Sequence, residues 1–87
     1  MKIKKGFVVR EVGGENVAVP VGEQAKTFRG MIKLNETGRF LWDFFATDKT
    51  VDEAVAAMLE TYDVDEATAR EDAERFVNVL LENGFAE

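Results

Sequence analysis

The stretch "GMIKLNETG", Gly30 to Gly38, alternates like a strand as far as Leu34 and then changes period. Ile32 and Leu34 point one way and Met31 and Lys33 the other, which is the two-residue repeat of a strand. Asn35 then serves as N-cap for "ETGRFLWDFF", whose Phe40, Leu41, Phe44 and Phe45 recur at helical spacing. A strand thus runs straight into a helix with no hairpin return. Its outer edge is left for something other than this chain's next strand to cover.

Two more strands precede it. "FVVREV" (Phe7 to Val12) and "NVAVPV" (Asn16 to Val21) are Val-rich runs separated by Gly13, Gly14 and Glu15, a hairpin signal because glycine adopts the positive φ that tight turns need. Pro20 has no N–H to donate, so it belongs at the end of the second strand or on an unpaired side. The loop "GEQAKTFR" follows, with Phe28 expected to anchor it to the core.

Downstream, "TVDEAVAAMLETY" opens on a capping box, Thr50 to Glu53, and its Val51, Ala54, Val55, Met58, Leu59 and Tyr62 keep helical spacing. Asp65 caps a last helix with the apolar face Ala69, Ala73, Phe76, Val77 and Leu80, stopped by Gly84. The expected fold is α+β: a three-stranded antiparallel sheet followed by three helices, winged helix-turn-helix-like around the tight "YDVD" turn. A single domain over residues 1–87 is expected, with strands about 7–12, 16–21 and 30–34 and helices about 36–46, 51–62 and 66–83. Tyr62 falls on the core stripe with its hydroxyl near the surface. Trp42 falls opposite the Phe stripe, which leaves it either against the sheet or exposed.

The residue inventory narrows the chemistry. The 87 residues contain no Cys and no His, which removes thiol nucleophiles, disulfides, Cys/His zinc sites and imidazole acid–base catalysis. So short a chain has little room for a deep cavity, and a surface site without cofactor in a cytoplasmic protein is expected. "MKIKKGFVVREV" starts like a signal peptide, but Arg10 and Glu11 interrupt the apolar run, and no other stretch is long enough to span a membrane.

Charge divides the chain. Residues 1–34 carry seven Lys or Arg against three Glu, a balance of +4, whereas residues 35–87 stand at −10. The last helix, "DEATAREDAERFVNVLLEN", holds six acids and two arginines, which repel a phosphate backbone and argue against nucleic-acid binding. Its carboxylates and those of "DVDE" lack the order of a calcium-binding loop, and acids at a helix start are accounted for by the helix dipole.

What remains is the edge. The unpaired N–H and C=O groups of the third strand can take up an extended peptide as a further strand, and Lys26, Arg29 and Lys33 would favour an acidic one. On the last helix Val79 and Leu81 fall on opposite flanks of the core stripe, and one flank also carries Asp72 and Arg75.

"GEQAKTFRGMIKLNETGRFLWDFF" followed by "TVDEAVAAMLETYDVDEATAREDAERFVNVLLENGF" resembles the PqqD-like family, the peptide-recognition elements of ribosomally made, post-translationally modified peptides. The likeness runs from about Phe7 to Phe85, and its most specific pieces are "GMIKLNETG" with Leu41-Trp42 and the late "D..RFVNVLLENGF". It implies a non-catalytic adaptor that binds the leader region of a precursor peptide and presents it to a modifying enzyme, often a radical S-adenosylmethionine enzyme. With no Cys, this chain itself cannot ligate an iron–sulfur cluster. Carried over, the peptide-binding residues are Gly30, Met31, Ile32, Lys33 and Leu34 on the strand and Asp72, Arg75, Phe76 and Val79 on the helix. Two alternatives stand beside it: a self-associating structural or regulatory domain whose edge pairs with its own copy in a homodimer, and an acidic winged-helix regulator.

Overall fold

The computed structural model describes residues 1–27 and 30–87. Gly13 (φ 59°) and Gly14 (φ 82°) form a two-residue turn, a backbone that side-chain-bearing residues resist and that matches strand twist. It joins β1 (Phe7–Val12) to β2 (Glu15–Pro20), paired from Val12 with Glu15 to Phe7 with Pro20. β3 (Ile32–Leu34) lies antiparallel on the other side of β2, giving the order β1-β2-β3. Between β2 and β3 the chain forms α1 (Glu23–Thr27), a helical turn where only a loop was expected. Phe28 and Arg29, expected as core anchor and edge charge, lie outside the described residues. Three longer helices follow: α2 (Glu36–Phe44), α3 (Val51–Thr61) and α4 (Glu66–Glu82). The architecture is α+β, a three-stranded antiparallel sheet followed by helices, and winged helix-turn-helix-like describes it.

β3 is shorter than the strand expected from Gly30 to Leu34, and hydrogen-bond parity explains why. The Val21 N–H donates to the Gly6 carbonyl at 2.7 Å, which makes those two a hydrogen-bonded pair of the β1–β2 ladder. Such pairs alternate along an antiparallel ladder. Val17 and Val19 therefore direct their backbone groups to β1, and Asn16, Ala18 and Pro20 direct theirs toward β3. Asn16 and Ala18 pair with Leu34 and Ile32. Pro20 has no N–H to give at the next step, and the ladder stops.

The apolar residues gather in two clusters. One lies among the helices, with Leu41, Phe45, Val55, Met58, Ala73 and Val77 buried. The other joins sheet to helices through Phe7, Ala18, Leu34, Trp42, Leu80 and Phe85, and Phe76 packs against both. Trp42 is thereby settled on the sheet side, 6% exposed and edge-on to Phe85 at 5.9 Å between ring centres. Tyr62 is half-buried, its ring against Phe40 at 5.4 Å.

Residues 1–5, three of them lysine, are pinned down by backbone bonds. Lys2 and Glu87 exchange N–H···O bonds at 3.0 Å, the Lys4 N–H donates to the Phe85 carbonyl at 2.9 Å, and the Ile3 N–H donates to the Phe45 carbonyl at 2.9 Å. No helix among the described residues is long and apolar enough to cross a membrane.

The caps read from sequence form. Asn35, Thr50 and Asp65 accept from Gly38, Glu53 and Thr68 N–H groups, and the Glu53 carboxylate in turn accepts from the Thr50 N–H. The Asp65 carboxyl is held below its usual range first by the Thr68 backbone N–H, at 2.7 Å. The folded state thus binds this proton less tightly than the unfolded chain, whose carboxyl titrates near about 3.9. The stabilisation is present above that pH and lost as pH falls through the lower folded value. Asn caps equally well but does not titrate. In melting curves taken between about pH 5 and 2.5, the expected result is a shallower loss of midpoint for Asp65→Asn than for wild type.

Candidate functional site

The same parity that shortens β3 decides what its edge offers. Ile32 and Leu34 direct their N–H and C=O groups to β2, so Lys33 between them directs both of its own outward. Side chains alternate at right angles to this: Leu34 is buried and Ile32 half-buried toward the helices, while Lys33 is exposed on the far face.

Beside that edge runs a groove of about 440 Å³, closed on its other side by α4. It is lined by Ile32, Lys33 and Leu34 of β3, by Asp72, Arg75, Phe76 and Val79 of α4, and by Asn35, Thr37, Gly38 and Leu41 at the start of α2. The flank of α4 in question is thereby identified: Asp72, Arg75 and Val79 line the groove and Leu81 does not. Gly30 and Met31 fall outside both β3 and the groove lining, and Met31 is 66% exposed.

The α2 contribution was missed by sequence reasoning, although one signal was available. Glycine in the first turn of a helix is unfavourable by about 1 kcal/mol relative to alanine, so Gly38 marks a close approach. A Cβ there would stand 3.1 Å from the Asn35 Oδ1, 3.5 Å from the Phe76 ring and 3.6 Å from Leu34. Gly38, Leu34, Leu41 and Phe76 form an apolar floor, and the first three are buried.

Charge sits on the rim. Arg75 bonds to Glu71 at 2.7 Å and Asp72 at 3.3 Å, Lys33 pairs with Glu15 at 3.4 Å, and Lys26 pairs with Glu23 at 3.1 Å. The edge is thus less basic than counting lysines suggests. These pairs are exposed and individually worth little, so an incoming charged group can exchange with them. An outward backbone pair beside an apolar floor can add one strand and hold its alternate side chains.

The chain matches the family model described as coenzyme PQQ synthesis protein D (PqqD) over residues 16–86. Two solved structures share its fold. "TbiB1 in Complex with the TbiA(beta) Leader Peptide" is 24% identical with a TM-score of 0.76, over 100% of this chain and 95% of that one. "Lasso peptide synthetase B1 complexed with the leader peptide" is 19% identical with a TM-score of 0.74, over 99% of this chain and 95% of that one. No curated protein matches the sequence.

Proposed function

This chain belongs to the coenzyme PQQ synthesis protein D (PqqD) family, and from that premise we propose that it is a non-catalytic adaptor that binds the leader region of a precursor peptide. The leader adds as a strand to β3, and its inward side chains rest between β3 and the Asp72–Val79 flank of α4. The observation that carries this reading is the outward backbone of Lys33 beside the apolar floor. The two structural neighbours, each described in complex with a leader peptide, support it. The bound leader is handed to a modifying enzyme, of which radical S-adenosylmethionine enzymes are one class, in the cytoplasm where the precursor is made.

An amide NMR titration with a synthetic leader peptide tests this. Shifts are expected at Ile32, Lys33 and Leu34 and at Asp72, Arg75, Phe76 and Val79, with Leu81 silent. Val79→Arg, at a position 38% exposed, is expected to weaken binding about tenfold by crowding the groove, whereas Leu81→Arg leaves it unchanged. Equal effects at both positions would remove the groove from the reading. The same edge could pair with a second copy instead; a dilution series that shifts the β3 amides without peptide would favour that homodimer.

A further inference from the structure

We propose that the segment this edge takes up carries an apolar–acidic–apolar triplet, the acidic side chain directly opposite Lys33 on the sheet face turned away from the helices. The inference rests on strand addition at β3 and concerns which peptides are selected.

Lys33 is the β3 residue whose N–H and C=O both point out of the sheet, so an added antiparallel strand closes a hydrogen-bonded pair on it. Residues directly opposite in such a pair place their side chains on the same face. The face is known from the register: Lys33 lies across from Val17, and its ammonium reaches Glu15 at 3.4 Å on the same side of β2. Both partners are open, with side chains 77% and 59% exposed. An acidic residue opposite Lys33 can therefore share or replace Glu15, and a basic one is repelled.

The peptide residues on either side of that acid turn to the other face. There they meet Ile32 and Leu34 across the strand gap and the floor of Gly38, Leu41 and Phe76. Apolar side chains fit both positions. On the rim, Arg75 already bonds to Glu71 and Asp72, so among the described residues lining the groove the two inward positions meet no cation lacking a carboxylate partner.

A phage library of random peptides, about twelve residues long to span the edge with flanks, can be panned against wild type, Lys33→Glu and Lys33→Pro, each checked by thermal melting. Wild type is expected to enrich apolar–Asp/Glu–apolar. Lys33→Glu is expected to keep the apolar positions, switch the central one to Lys or Arg, and bind the wild-type-selected peptides about tenfold more weakly. A central preference unchanged in Lys33→Glu, or no acidic enrichment by wild type, overturns the triplet while strand addition stands, provided Lys33→Pro still loses the peptides. Peptides held equally by Lys33→Pro, or no enrichment by wild type above that variant, overturn strand addition itself.

Discussion

Lys33→Pro is expected to weaken capture of a leader peptide at least tenfold, by about one hydrogen bond and the room the ring takes, while its melting midpoint moves by no more than about 2 °C. The N–H that proline removes points away from β2, so the internal ladder loses nothing. Ile32 before it is already in a strand, the conformation that a following proline favours. Ile32→Pro does the reverse. It deletes an N–H that faces Ala18 and a side chain packed against the sheet-side cluster. A loss of about 2–4 kcal/mol of stability follows from the bond and the packing together. Lys33→Ala separates charge from backbone and should retain most of the affinity. Peptide titrations and melts on the three variants decide the matter, and equal binding by both proline variants would sink strand addition.

Phe85→Ala should be among the most damaging single truncations outside the helices, at about 3–5 kcal/mol and, for a domain this size, a midpoint lowered by roughly 20 °C. Phe85 is 1% exposed and packs its ring 4.7 Å from Phe7 and 5.9 Å from Trp42. It therefore joins β1, α2 and the end of α4 at one point. Its N–H donates to the Leu80 carbonyl and its carbonyl accepts from Lys4, so the backbone path is fixed while the cavity opens. The groove leans on the same joint, because Phe76 and Leu34 pack in that cluster. Phe85→Leu should recover more than half of the loss, since it refills most of the volume. A Phe85→Ala protein that melts within a few degrees of wild type would show that the sheet is held to the helices elsewhere.

Much of this was legible in the residues themselves. Gly13-Gly14 announced a hairpin because positive φ is a local steric matter, and Asn35, Thr50 and Asp65 announced helix starts because a cap is bonded within three residues. Apolar spacing marked Ala69, Ala73, Val77 and Leu80 for burial, as they are. The strand edge was visible too, from a strand running into a helix.

Other features depend on residues distant in sequence. Which flank of α4 faces β3 could not be read from period alone, since Val79 and Leu81 lie symmetrically about the core stripe; the packing against Leu34 and Gly38 selects Val79. Trp42 had two faces open to it until Phe85 arrived from the far end of the chain. Nor did the basic start show that its backbone closes a short ladder with residues 85–87, because hydrogen bonding between main chains is indifferent to the charge on the side chains.

The sequence by itself determined the three strands, the three longer helices, their order and the caps, because each rests on interactions spanning a few residues. The tertiary structure decided the site. The length of β3 follows from Pro20 on a neighbouring strand, the outward turn of the Lys33 backbone from a parity set at the hairpin, and the groove floor from Gly38 meeting Phe76. Each depends on where a second element lies, and only packing brings those surfaces together.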